Sequence, residues 1–218
     1  MRFSIGCMKN MGRAWVGEQS VLMVVDTTLV PIKMKGSRDN SVFYSVKHGL
    51  HGMKVELASV VACDYGPFIL SCNVAPGSSD DLAIAREVLV KHLLPGEQIL
   101  ADRTYEAPEA PEFLTPTTHH GVHPDNVPDE CRRYDAILES HLVPIKRVHG
   151  WLHTFCIFSR FEHYYRGEHP GPRLDLLIDA IDVAVLLVNR NVLDMHGEQS
   201  SMFIPHRENE KVDCGRLG

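Results

Sequence analysis

The sequence predicts an α/β domain in which helices flank a mixed sheet. Three observations predict it: an apolar run that ends at Asp26, an alternating hairpin between residues 55 and 74, and a helix followed by a second apolar run that ends at Asp102. A strand, a helix and a strand in one sheet form a parallel crossover, which is almost always right-handed. Antiparallel and parallel pairing are therefore expected in the same sheet.

The strands are indicated by their hydrophobic periodicity. Residues 21–25 are continuously apolar, as in a strand that is buried on both faces, and residues 42–46 form a weaker candidate. Apolar and polar residues alternate over 55–61, the turn residues D-Y-G-P follow, and residues 68–74 return. This pattern predicts a β-hairpin.

Three helices are indicated further along the chain. The segment P-G-S-S precedes a helix over 80–93 with acids in its first turn, and residues 98–101 form the strand that ends at Asp102. A second helix is expected from Tyr134 to Phe158, with a kink or restart at Pro144. A third, from Leu174 to Val192, is apolar on most sides and is expected to pack on the sheet.

Composition narrows the class of protein. The net charge of -6 and the pI near 6.1 argue against a free-standing nucleic-acid binder, which usually carries a basic face. The six cysteines contain no C-x-x-C pair, so neither a zinc knuckle nor a disulfide framework is indicated. No apolar run is long enough to cross a bilayer. We expect a soluble, intracellular protein.

The ordered motifs V-V-D-T-T, the hairpin, P-G-S-S-D-D-L, I-L-A-D-R-T-Y and a late helix with G-W-L resemble the PIF/Harbinger-type DDE transposases. These belong to the ribonuclease H-like superfamily, and the resemblance covers roughly residues 21–192. It implies a ribonuclease H-like fold, a divalent metal (Mg²⁺ or Mn²⁺), and DNA cleavage with strand transfer. It also implies a separate Myb-like DNA-binding partner and a location in the nucleus or cytoplasm.

The expected domain organisation follows from the same resemblance. Residues 1–20 form an N-terminal extension, which is too short for a helix-turn-helix domain of usual size. The DDE domain spans 21–200, and residues 201–218 form a polar tail. Within the domain, residues 106–133 are rich in proline and histidine and lack periodicity, which predicts an exposed, mobile loop.

Asp26 and Asp102 are the candidate catalytic and metal-binding residues. Carried over from the resembled family, they match the first and second catalytic acids, and two carboxylates at adjoining strand ends can hold Mg²⁺ or Mn²⁺. Asp81 matches the second residue of a His-Asp pair whose histidine is replaced by Asp80. The structural alternative is a strand-end turn or cap at Asp26 and a turn before the next helix at Asp102.

The third acid of the resembled family is replaced by Lys146. The segment from Tyr134 through Gly150 aligns with the family pattern without gaps and puts Lys146 at the glutamate position. A protonated lysine has no lone pair with which to coordinate a metal, so activity is expected to be impaired or lost. One hypothesis puts the Lys146 ammonium between Asp26 and Asp102 in place of the metal; the alternative is an ordinary surface lysine.

Other residues near Lys146 are candidate ligands. Glu139 lies two helical turns earlier, about 10 Å along the axis, and is too distant to replace the missing acid. His149 and His153 have the i, i+4 spacing of a zinc pair but lack the following glutamate of H-E-x-x-H enzymes, so surface or core histidines are the plainer interpretation.

Two basic groups could contact DNA. One contains Lys47, His48, His51 and Lys54 and is either a phosphate contact or a solvated strand end. The other is a candidate DNA track or an ordinary helix surface, and consists of Arg132, Arg133, Lys146, Arg147 and Arg160. The rival to an impaired nuclease is a non-catalytic DNA- or protein-binding scaffold that retains the fold. A decayed reading frame that folds poorly is a third possibility.

Overall fold

A computed structural model of the 218-residue chain describes residues 14–16, 19–32, 38–60, 67–117, 123, 126–155, 158 and 174–195. The strands in these ranges are β1 Ala14–Val16, β2 Gln19–Pro31, β3 Tyr44–Ser45, β4 Leu50–Val60, β5 Ile69–Pro76, β6 Glu97–Leu100 and β7 Phe113–Leu114. The α-helices are α1 Asp81–Val88, α2 Asp129–Thr154 and α3 Leu174–Met195. Short 3-10 helices span Arg38–Phe43, Val90–His92 and Arg103–Tyr105. None of the described helices is long and apolar enough to cross a membrane.

The strands form one mixed sheet in the order β3-β4-β2-β6-β7. β1 adds to β2, and β5 adds to β4, both in antiparallel pairing. β2 is antiparallel to β4 and parallel to β6, which is itself parallel to β7. The predicted α/β class, with a hairpin and a parallel crossover in a ribonuclease H-like sheet flanked by helices, is confirmed.

The strand that carries Asp26 is longer than predicted. The prediction ended this strand at Asp26, where a charged residue closes the apolar run, but β2 continues to Pro31. It continues because β4 provides partners along its whole length, with Asp26 opposite Leu57 and Pro31 opposite Gly52. Asp26 therefore lies within a strand, and a role as a strand-end turn is wrong. β1 and the first residues of β2 also lie within the predicted 1–20 extension.

Part of the predicted loop over 106–133 is ordered structure. β7 pairs with β6, where Ile99 lies opposite Phe113, and Ala101 N donates to Leu114 O at 3.0 Å. Phe113 is buried, and α2 already begins at Asp129. The prediction of an exposed loop is wrong for these parts because a two-residue strand has no periodicity to detect. Residues 118–122, with His119 and His120, lie outside the described residues.

α2 is one uninterrupted helix that contains Pro144. The prediction of a restart at this proline is wrong, whereas the kink stays a prediction. Proline removes one backbone donor and its ring crowds the preceding turn, at a cost of roughly 3 kcal/mol. The helix nevertheless continues because a core-facing stripe spans the proline on both sides: Leu138, Leu142, Ile145, Val148 and Leu152 are all fully or almost fully buried. Tertiary packing therefore outweighs the local preference.

Replacing Pro144 by Ala should stabilise the protein. The substitution restores a backbone donor and removes the ring, so we expect the free energy of unfolding to rise by about 1–3 kcal/mol. Urea denaturation measures this change. Pro144→Gly is the matched control and should gain less, by about 1 kcal/mol. Destabilisation by both substitutions would show that the proline ring itself contributes to packing.

Two hydrophobic clusters lie on opposite faces of the sheet, because neighbouring residues of β2 point to opposite sides. Val24 belongs to the cluster that contains the buried face of α2 and much of α3. Val25 belongs to the cluster that contains Ala85 and Leu89, at the end of α1, and Tyr105. We call these the α2 face and the α1 face of the sheet.

Glu56 is a fully buried acid on the α1 face, on the same side of β4 as Ala58. Asn73 Nδ2 donates to its Oε1 at 2.9 Å, and Oε2 is buried with no hydrogen-bond partner in the described part of the chain. Burial raises the pKa of Glu56 to about 7, the Asn73 bond opposes that rise, and nearby Asp81 adds to it. The carboxyl group is therefore protonated below neutral pH.

Replacing Glu56 by Gln should alter how stability depends on pH. The folded chain holds the Glu56 proton more tightly than the unfolded chain does. The proton therefore contributes fully to the free energy of unfolding below about pH 4.5, and this contribution is lost as pH rises through about 7. Compared with Glu56→Gln, the free energy of unfolding of wild type should fall by on the order of 3 kcal/mol more between these two pH values. Denaturation at several pH values measures this difference. Glu87→Gln, at an exposed acid of α1, is the control, and equal pH profiles for both variants would contradict the assignment.

Candidate metal centre

The β2–β6 ladder brings Asp26 and Asp102 to equivalent positions on neighbouring strands. Its last pair is Val24 opposite Leu100, and each aspartate follows two residues later. Adjacent strands lie about 4.8 Å apart. The parallel pairing expected from the sequence thus places both carboxylate-bearing residues at one edge of the sheet.

Asp26 faces α2 and is mostly buried. Its Oδ1 accepts a hydrogen bond from Thr27 N at 2.9 Å, and its Oδ2 lies 3.4 Å from Nδ1 of His149. The side chains of Asp26 and His149 are 15% and 10% exposed. The distance is longer than an ordinary N–H···O bond of about 2.7–3.2 Å, so this contact is a close electrostatic approach rather than a short hydrogen bond.

His149 and His153 both lie against β2. Thr28 Oγ1 is 2.9 Å from His153 Nε2, and burial, together with the neighbouring His149, lowers the pKa of His153. The four residues from His149 to His153 rise about 6 Å along the helix, and the two residues from Asp26 to Thr28 rise about 6.6 Å along the strand. Because these rises are similar, His149 lies against Asp26 and His153 lies against Thr28. His149 Nε2 is buried and has no hydrogen-bond partner among the described residues.

The contact between His149 and Asp26 was not predicted from the sequence. The helical spacing predicted either half of a zinc pair or an ordinary core or surface histidine at this position. The available signal was its place on the helix, one turn beyond Lys146, because residues three apart share one side of a helix. The burial expected of a core histidine is confirmed, since His149 is 8% exposed.

Asp102 caps the 3-10 helix Arg103–Tyr105. Its Oδ1 accepts a hydrogen bond from Thr104 N at 2.8 Å and a second, short one from Thr104 Oγ1. The structural alternative of a turn before a following helix therefore describes its local geometry. Its second carboxylate oxygen makes no hydrogen bond within the described residues and lies on a half-buried side chain.

Lys146 does not lie between the two aspartates. Its side chain is exposed, and no ion pair in the described part of the chain joins it to Asp26 or Asp102. The hypothesis that its ammonium replaces the metal is therefore wrong, since a strongly hydrated ammonium remains in solvent. Glu139 lies two turns earlier on the same side of α2 and pairs with Arg103 Nη2 at 2.9 Å. Lys146 lies one helical turn before His149, the residue of α2 that approaches Asp26.

Lys54 and Asp81 form a buried ion pair away from this edge. Lys54 Nζ donates to Asp81 Oδ1 and to Ser79 O, each at 2.6 Å. The prediction of a solvated strand end is wrong for Lys54, which is 8% exposed. Asp80 caps α1 by accepting from Ala83 N at 2.9 Å. Neither acid joins Asp26, because both belong to the helix on the α1 face.

By chemical type, the two aspartates at the sheet edge are ligands that a divalent metal prefers. No group of three or more His, Cys, Asp or Glu side chains in the described ranges is arranged to hold one ion. Mg²⁺ commonly uses one or two carboxylates and keeps several waters. The uncommitted oxygen of Asp102 and Oδ2 of Asp26 are carboxylate oxygens of the kind that Mg²⁺ binds.

Comparison with known protein families shows what the chain is similar to. The profile described as "DDE superfamily endonuclease" matches residues 25–189, which is more than half of the chain and includes Asp26, Asp102 and all of α2. The chain belongs to this DDE superfamily endonuclease family. No curated protein and no solved structure gives a significant match. Membership in the family implies a nuclease-type domain that acts on DNA, and the superfamily generally depends on divalent metal.

Replacing Lys146 by Glu should strengthen binding of Mn²⁺. The change replaces a cation by a carboxylate one helical turn from His149, which approaches Asp26, so we expect affinity to rise about tenfold. Titration calorimetry measures it. Lys91→Glu makes the same change of charge beyond the end of α1 and is the control. An unchanged isotherm for Lys146→Glu would show that this position does not reach the metal centre.

Proposed function

We propose that this chain is a PIF/Harbinger-type, transposase-derived DDE endonuclease domain in which metal-dependent DNA cleavage and strand transfer is impaired. The observation that carries the proposal is the β2–β6 register, which brings Asp26 and Asp102 to one sheet edge. The family match over residues 25–189 supports the same chemistry. Loss of the acid at Lys146 supports its impairment.

Asp26 and Asp102 would hold the divalent ion, Mg²⁺ or Mn²⁺. When bound, such an ion lowers the pKa of a bound water or hydroxyl and stabilises the leaving oxygen of a phosphodiester. The residues of the chain orient and shield the ligands. Thr27 N fixes one oxygen of Asp26, the Thr104 side chain and backbone fix one oxygen of Asp102, and His149 covers the Asp26 carboxylate on the side of α2.

Impairment follows from the ligand count and from charge. Two carboxylates neutralise a dication, but they leave more of its coordination shell to water than three would. The Lys146 ammonium adds positive charge near the same edge. The exposed position of Lys146 and its surroundings support a weakened metal centre, because solvent screens a surface charge without removing it.

DNA binding is proposed to be local and assisted. The net charge of -6 disfavours broad attraction to phosphate, whereas several cations are exposed on α2: Arg132, Arg133, Lys146 and Arg147. Arg160 of the same basic group lies outside the described residues. Recognition of a DNA sequence would then come from a separate Myb-like partner, and the site of action would be in the nucleus or cytoplasm.

The alternative function is a non-catalytic scaffold that binds DNA or protein through the retained fold. One observation favours it: Asp102 already uses a carboxylate oxygen to cap the turn after β6. A carboxylate with that structural role would be retained without any metal. The two functions differ in whether restoring the third acid restores chemistry.

Nicking of supercoiled DNA in the presence of Mn²⁺ separates these functions. We expect little cleavage by wild type and at least tenfold faster cleavage by Lys146→Glu, because the substitution restores the missing ligand. Adding Asp26→Ala to Lys146→Glu should abolish the gain. Asp179→Asn is the control. It neutralises an exposed acid on α3, outside β2, and should not change cleavage.

Two results would overturn the proposal. Failure of Lys146→Glu to nick DNA, in a chain that unfolds cooperatively, would support the scaffold. Rapid cleavage by wild type that is lost in Asp26→Ala would show that the site is not impaired. A chain without a cooperative unfolding transition would instead identify a decayed reading frame.

A further inference from the structure

The side chain of Thr27 crosses to the face of the sheet opposite Asp26. Asp26 and Thr28 both contact α2, and side chains alternate along a strand, so Thr27 points to the α1 face. There its Oγ1 lies 2.7 Å from the hydroxyl of Tyr105, a residue 78 positions further along the chain. This hydrogen bond joins β2 to the turn after β6 from behind the two carboxylates.

Tyr105 is held firmly in place. Tyr105 is 1% exposed, and its ring stacks on Phe113 of β7 with the ring centroids 5.5 Å apart. Burial raises the pKa of Tyr105 well above its ordinary value, so the hydroxyl keeps its proton at neutral pH. A buried hydroxyl that loses its partner cannot turn to water, and the bond is therefore costly to break.

Both ends of the Thr27–Tyr105 hydrogen bond adjoin a carboxylate. Thr27 N donates to Asp26 Oδ1 at 2.9 Å. Tyr105 ends the 3-10 helix that Asp102 caps, and Tyr105 N donates to Asp102 O at 3.1 Å. The bond therefore links the residue after one aspartate to the turn that the other aspartate begins.

The backbone ladder does not provide this link. Pairing between β2 and β6 ends at Val24 and Leu100, two residues before each aspartate. Beyond Leu100 the chain still bonds to β7, since Ala101 N donates to Leu114 O at 3.0 Å, but it has no further ladder pair with β2. The Thr27–Tyr105 bond lies beyond the last ladder pair, where the separation of the two carboxylates is set.

We propose that Thr27 and Tyr105 are positioning residues that fix Asp102 relative to Asp26. Neither side chain touches the metal or the DNA, since both lie on the α1 face. The assignment rests on the proposed function, because it treats the two aspartates as ligands of one ion. It adds two residues to the site that contribute through the carboxylates rather than through direct contact.

Hydrogen exchange at the amides of Thr104 and Tyr105 tests the structural part, because both amides bond to Asp102. Thr27→Val and Tyr105→Phe each remove one hydroxyl and keep the shape of the side chain. We expect exchange at these amides to accelerate about fivefold, as for loss of one net hydrogen bond. Exchange at the Val60 amide in β4 should not change. Thr27→Ser, which keeps the hydroxyl, and Tyr44→Phe, at a partly exposed tyrosine of β3, should resemble wild type.

The double variant Thr27→Val with Tyr105→Phe should exchange no faster than either single variant, because both remove the same bond. Unchanged exchange at Thr104 and Tyr105 would overturn the proposal. Equal acceleration at Val60 would also overturn it, since that result shows general destabilisation.

Titration of the full chain with Mn²⁺ tests the functional part. Affinity should fall about fivefold in Thr27→Val and in Tyr105→Phe and stay at the wild-type value in Thr27→Ser and Tyr44→Phe. Unchanged affinity alongside accelerated exchange would overturn the positioning role. A wild-type chain that does not bind Mn²⁺ would contradict the metal centre of the proposed function, while the exchange rates would still decide whether the bond holds the Asp102 turn.

Discussion

The structure depends on the way in which β2 is paired on its two sides. β4 pairs with β2 from Met23 to Pro31, whereas β6 stops pairing with it at Val24. β4 therefore keeps β2 extended through Asp26, whereas pairing with β6 ends near that position and the chain after β6 forms the 3-10 helix Arg103–Tyr105. The resulting edge presents Asp26 on a rigid strand and Asp102 at the start of a capped turn, and it is covered by α2 on one face.

The alternation of side chains along β2 separates two kinds of residue. Asp26 and Thr28 face the histidines of α2, and Thr27 faces Tyr105 on the α1 face. A shift of one residue in the β2–β4 register would exchange these faces and put an aspartate into an apolar cluster. The ladder with β4, together with the burial of Val24 and Val25 on opposite faces, makes such a shift costly.

On the proposed function, Lys146 weakens the site without changing the fold. Its exposed side chain leaves the buried stripe of α2 intact, so the helix packs as it would with an acid at that position. The partner that Asp26 does have is His149, one turn further along. On the proposed function, the site is thus weakened by a missing ligand and a nearby charge, while the strands that hold its remaining ligands are preserved.

The sequence by itself determined the fold class, the hairpin, α1 and the neighbouring strands of Asp26 and Asp102, because these follow from local periodicity, turn residues and the handedness of crossovers. Only the tertiary structure decided that β2 passes Asp26, that α2 passes Pro144, that Glu56 is buried, and that His149 and Tyr105 contact the strand of Asp26. These features arise from contacts between residues distant in the chain, whose packing and hydrogen-bond energies outweigh local preferences.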